Sequence, residues 1–243
     1  MLVTDPSPRD RRGFTLIELL TVVVIIGLLA GLVTAAAIRV RWSVRKAAHA
    51  MELKQLEMAL HAYKEQFGQF PPHSDDGFDA HIRKAFPRNA GGTPGAPGPA
   101  NALTFWLGGV RQGGEYIGFS SNPTSPFDAT STSRSGPFFE FDPDRLDGDG
   151  RYYPTVEAAQ SGQPNQAIHY YRAQNGEYAA GSHAFQDSRT GGWINPRSFQ
   201  ILSPGIQGGI VASGNPAFPG GLSEEHLEMM SNFTSGTMED ALP

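Results

Sequence analysis

The sequence predicts an α+β fold: one long N-terminal helix, transmembrane in its first part and amphipathic in its second, packed on a small, loop-rich head with an antiparallel sheet. Three observations predict it. Proline is absent between Arg9 and Phe70, whereas 17 of the 19 prolines and 25 of the 29 glycines follow Phe70. Leu19 to Ile38 is a run of twenty residues without a charge, the length a helix needs to cross about 30 Å of hydrocarbon. Leu53, Leu56, Leu60, Tyr63 and Phe67 then recur at alternating spacings of three and four, which draws one apolar stripe along a helix.

The first element is a single helix from about Phe14 to Gln66. Glu52, Lys54, Glu57 and Lys64 lie off its stripe, and Gly68 followed by Pro71-Pro72 stops it. Gly27 and Gly31 form a G-x-x-x-G within the apolar run, a spacing that permits close helix approach. Past Pro72 regularity thins. Phe78 to Phe86 reads as a short helix, Gly91 to Pro99 as a Gly/Pro linker, and Ala102 to Leu107 as a helical turn. Strands are expected at Phe138–Phe141, Ile168–Arg172 and Phe199–Leu202, each rich in aromatic or β-branched residues between turn formers. Ser223, followed by Glu224 and Glu225, is an N-cap with acids in the first turn.

Charge divides where proline does. Residues 1–70 carry 9 Lys/Arg against 6 Asp/Glu, and the remainder carries 10 against 18. A head at net −8 is a poor general binder of nucleic acid, whose phosphates need Lys/Arg neutralisation. Cysteine is absent, which excludes disulfides, thiolate catalysis and cysteine-ligated zinc. No H-E-x-x-H, G-x-S-x-G or phosphate-binding loop occurs among the residues, so no catalytic constellation is legible.

The most specific stretch is Arg11-Arg12-Gly13-Phe14-Thr15-Leu16-Ile17-Glu18-Leu19-Leu20. A basic pair and a glycine precede the apolar run, and Glu18 stands at its entrance, where an unpaired charge is expensive and therefore a functional candidate. An ordinary secretory signal peptide cut near Ala35-Ala36-Ala37 competes, but its apolar region should be shorter, about 7–15 residues, and free of acid. A plain single-span anchor explains the length but not Gly13, Phe14 and Glu18 together. Arginines and lysines flank both ends of the run, so charge does not decide orientation.

This stretch resembles the cleavage-and-methylation leader of type IV pilins and type II secretion pseudopilins. The resemblance implies cleavage between Gly13 and Phe14 by a prepilin peptidase and N-methylation of Phe14. It implies a division into a leader (1–13), a transmembrane and filament-core helix (14–38), its amphipathic continuation (39–70) and a globular head (71–243). Tyr63 to Pro71, Pro164 to Tyr171 and Ser198 to Gly205 are similar to segments of major pseudopilins. The resemblance further implies a single-pass inner-membrane protein of a bacterium, with the head in the periplasm or on an extracellular filament. Its partners would be other copies of itself, other pseudopilins and an inner-membrane assembly platform.

A role for Glu18 follows: once helices leave lipid and pack together, its carboxylate can pair with the Phe14 amine of a neighbouring subunit, which favours one register. The family's calcium loop would follow Gly205, but Gln207, Gly208 and Gly209 stand where acids are expected, so those ligands are not carried over. Another acidic cluster, Asp142, Asp144, Asp147 and Asp149 on a glycine-turned loop, offers several oxygens of the kind calcium takes; a solvated acidic turn is the competing reading. The expected function is therefore structural and not enzymatic, that of a pseudopilin-like filament subunit supporting protein secretion. A minor pilin with a ligand-, DNA- or surface-binding head is one alternative, and a membrane-tethered extracytoplasmic enzyme is another.

Overall fold

The computed structural model describes residues 14–179, 181–207, 209–211 and 214–242. Helix α1 runs unbroken over Leu16–Phe67, as the absence of proline requires. It ends where Gly68 adopts a left-handed φ of 77° and its N–H bonds the Lys64 carbonyl at 2.7 Å, the glycine C-terminal stop. By internal contacts the chain divides into two compact units, Met1–Val44 and Arg45–Pro243, so the second half of α1 is built into the head.

In the head, α2 (Phe78–Ala85) is followed by a π-helical turn at Thr104–Gly108. Two small ladders come next: β1 (Arg111–Gln112) with β2 (Glu115–Tyr116), and β3 (Phe119–Ser120) with β4 (Arg134–Ser135). After α3 (Val156–Ser161) comes the main sheet, in which β5 (His169–Arg172) pairs antiparallel with β7 (Phe199–Ser203), and β7 with β9 (Met230–Ser231). Strand β6 (Gln186–Asp187) pairs in parallel with β8 (Ala217–Phe218), while the other strand ladders among the described residues are antiparallel. Ser223 caps α4 (Glu224–Leu227), its N–H bonding His226 Nδ1 at 3.0 Å.

The main sheet is covered on both faces, and its two-residue period sorts side chains between them. Tyr170, Phe199, Ile201 and Met230 face Leu53, Leu56, Leu60 and Tyr63 of α1, together with Phe70, Trp106 and Leu107. Tyr171, Leu202 and Met229 face a second cluster with Phe185, Val211 and Met238. Leu56, Leu60 and Tyr63 are fully buried. Leu60→Ala is expected to lower the stability of the head by about 2–5 kcal/mol, read from urea unfolding of the detergent-solubilised chain.

One expected strand does not form. Phe138–Phe141 has no ladder; Phe138 and Phe139 both direct their N–H groups at the Leu107 carbonyl. Their rings serve instead as packing, Phe138 against Tyr63 at 5.3 Å and Phe141 against Tyr152 at 4.9 Å. The Gly91–Pro99 segment is irregular, as expected, yet it is tied in: Gly91 N–H bonds the Thr124 carbonyl, and the Pro99 carbonyl accepts from Tyr170 N–H on the main sheet.

Candidate functional site

The N-terminal end of α1 is closed by its own residues. Glu18 Oε2 accepts from Thr15 N–H at 2.8 Å and from Thr15 Oγ1 at 2.7 Å, while Thr15 Oγ1 accepts from Glu18 N–H at 3.3 Å. This reciprocal pair is a capping box, and it places the acid one turn from Phe14, which is exposed. The Thr-x-x-Glu spacing was there to be read in the sequence. Gly13 lies outside the described residues.

Beyond this cap, Leu16 to Ile38 leaves its large apolar side chains uncovered, and α1 alone among the described helices is long and apolar enough to cross a membrane. The two hydroxyls of the run do not contradict that environment. Thr21 Oγ1 bonds the Ile17 carbonyl and Thr34 Oγ1 the Ala30 carbonyl, each at 2.8 Å, so neither presents an unsatisfied donor to lipid.

Where α1 enters the head, a buried polar cluster that the sequence did not reveal ties three elements together. Glu52 takes both terminal nitrogens of Arg145 at 2.8 and 2.9 Å and the Tyr152 hydroxyl at 2.7 Å. Arg145 also donates from Nε to the Tyr153 carbonyl and lies over the Tyr152 ring. His49, one turn earlier, meets Glu52 Oε2 at 3.1 Å through Nδ1 and Ser203 Oγ at 2.7 Å through Nε2. Burial alone would push the Glu52 carboxyl up. Its hydrogen bonds to His49, Arg145 and Tyr152 and the Arg145 charge outweigh this and hold it at about 2.

Ser203, His49 and Glu52 thus stand in the order of a hydrolytic relay. The hydroxyl is wholly buried, however, and already accepts from Gly205 N–H at 3.3 Å. Glu52 is spent on Arg145. The cluster fastens α1 to β7 and to the segment carrying Arg145 and Tyr152, and it offers no substrate a path to the serine.

The structure does not gather the four aspartates of the acidic loop. Asp142 caps the turn after it, accepting from Asp144 N–H at 3.1 Å. Asp147 accepts from Arg151 N–H, the Arg151 guanidinium and the Tyr153 hydroxyl, all within 3.1 Å. Asp149 pairs with the same guanidinium at 2.8 Å, and Arg111 binds the carbonyls of Asp147 and Gly148. Arginine stands where a cation would have to, so the donor set does not fit calcium. Among the described residues no group of three or more His, Asp or Glu side chains is placed to hold a metal ion.

The capped acid, the uncovered apolar helix and the preceding Gly13-Phe14 pair fall together within one recognised pattern. The chain carries a prokaryotic N-terminal methylation motif. The match covers residues 8–34, a short part of the chain that includes Gly13, Phe14, Glu18 and most of the apolar run. This methylation motif is that of a type IV pilin-like prepilin leader; it implies processing by a prepilin peptidase and points to membrane anchoring through α1. No curated protein and no solved structure matches the chain.

Proposed function

We propose that the chain is a structural subunit of the pseudopilin kind, cleaved between Gly13 and Phe14, N-methylated at Phe14, and assembled with copies of itself into a pseudopilus or pilus that supports protein secretion. The observation that carries this reading is the methylation motif set directly on an apolar helix that the rest of the described chain leaves uncovered. Before assembly the helix resides in the bacterial inner membrane with the head outside the cytoplasm. Other pseudopilins and an inner-membrane platform are its assembly partners. The work is mechanical and no catalysis is assigned to the head.

Within this reading the capping box gives Glu18 two successive tasks. In the free subunit the carboxylate is satisfied by Thr15 and can stay at the membrane entrance. In the filament it pairs with a neighbour's Phe14 amine, a contact that forms only in one register. Glu18→Ala is expected to insert normally but to yield few or no filaments. Sheared filaments quantified by immunoblot, beside membrane-fractionated subunit, check this; undiminished filaments would remove the role given to Glu18.

A further inference from the structure

A cavity of about 240 Å³ opens in the head between the π-helical turn, the β1–β2 hairpin and the end of the acidic loop. Phe105, Val110, Tyr116 and Phe127 form its apolar walls. Phe105 and Phe127 back onto the core, with ring centroids 6.2 Å apart, and stay half-buried. The Tyr116 wall depends on glycine. A Cβ at Gly108 would stand 2.6 Å from the Tyr116 ring, and one at Gly109, where φ is 80°, would strike the Gly118 backbone. The turn that carries Phe105 is itself of a rare kind that recurs at functional sites.

Three planar polar groups line the same cavity, each with an atom unspent. Arg111 donates from Nε to the Gly114 carbonyl and from Nη1 to the carbonyls of Asp147 and Gly148, while Nη2 bonds no described residue. Asp149 gives Oδ2 to Arg151 at 2.8 Å and keeps Oδ1. Asn101 spends Nδ2 on the Asp149 carbonyl at 3.4 Å and keeps its amide oxygen. The guanidinium is already pinned by three carbonyls and lies over the Tyr116 ring, 5.8 Å from its centroid. Little ordering is left for a ligand to supply.

We propose that this cavity binds one neutral hexopyranose ring, an activity that goes beyond the assembly reading above. Its volume lies below the roughly 300 Å³ at which drug-sized sites begin, so the occupant is a single small ring. Arg111 and Arg151 balance Asp147 and Asp149 around the polar end, which favours neither an anion nor a cation. A purely apolar occupant would strip water from three polar groups and return no hydrogen bond. A pyranose suits both ends. Its slightly positive C–H face lies against the aromatic walls. Its hydroxyls, each donor and acceptor, meet Arg111 Nη2 and the free oxygens of Asp149 and Asn101.

Saturation-transfer NMR on the full chain, solubilised in a detergent without a sugar headgroup, tests this. The probes are the methyl glycosides of glucose, galactose and mannose, which imitate a glycan end, beside the same three sugars in free form. At least one is expected to bind in the millimolar range. A methyl glycoside held as tightly as its free sugar marks a glycan end as the ligand, and a tighter free sugar marks a monosaccharide. Asp149→Ala, where the carboxylate is 68% exposed, is expected to weaken binding about tenfold with an unchanged urea midpoint. Val110→Phe, which fills the cavity, is expected to abolish it. No binding of any probe to the folded parent overturns the proposal, as does binding that both variants leave intact. Cyclohexanol held as tightly as the best sugar overturns it too, because the polar groups then contribute nothing. None of these outcomes touches cleavage or filament formation, so the proposal can fail while the assembly reading stands.

Discussion

Glu52→Ala is expected to destabilise the head by about 3–5 kcal/mol, because it leaves the Arg145 guanidinium, only 15% exposed, without its carboxylate. Tyr152 and His49 lose an acceptor in the same step, and each stranded donor adds to the loss. The effect should also show in pH dependence. The folded-state carboxyl is held at about 2 against an ordinary 4.5, so its contribution, about 3 kcal/mol, is fully present above pH 4.5. It is lost as pH falls toward 2.

Buried His73 and His81 act in an adjoining window. Burial holds them neutral, at about 4 and about 3 against an ordinary 6.5, so their contributions begin to fall already below pH 6.5. Urea unfolding at a series of pH values separates the two. Glu52→Ala should flatten the acid limb below pH 4.5 and leave the histidine limb in place. A variant as stable as the parent at pH 7, with an unchanged acid limb, would mean the cluster holds nothing together. Glu52→Met with Arg145→Met together should recover much of the single-variant loss, since a buried pair replaced by apolar side chains is often close to neutral.

Gly13→Ala is expected to abolish maturation, leaving full-length precursor in the membrane and no filament. The proposed cleavage falls at this residue, and the methylation motif spans it. The Thr15–Glu18 cap fixes where helical structure begins, at Leu16, two residues past Phe14. Immunoblotting of membrane fractions for the size of the chain checks the prediction. Normal shortening of the variant would show that processing occurs elsewhere.

Much of the architecture was legible because its signals are local. The apolar run and the Leu53–Phe67 stripe needed only helical periodicity and the absence of proline, and α1 follows them to Phe67. His169–Arg172 and Phe199–Ser203 became strands because runs of aromatic and branched residues between turn formers suit a pleated, buried surface. The same rule failed at Phe138–Phe141, where rings were recruited one by one into the core around Tyr63 and Tyr152 and no partner strand was on offer. Strand β9 was missed because Met230-Ser231 is short and acquires its pairing from β7, some thirty residues away.

The candidate sites divide the same way. Gly13, Phe14 and Glu18 are adjacent in sequence, so a motif could announce them. The Glu52 cluster draws on residues about ninety to one hundred and fifty positions apart, and only folding brings them together. The acidic loop was left between a solvated turn and a calcium site because its aspartates are neighbours in sequence, while Arg151, Tyr153 and Arg111 engage them only in the fold.

Mass spectrometry of the N-terminal peptide from the membrane-extracted, filament-competent protein tests the whole account most directly. The account predicts a chain beginning at Phe14 with one methyl group on its α-amine and the entire α1 helix retained. A chain beginning downstream of Ala37, or one still carrying residues 1–13 within assembled filaments, would contradict it.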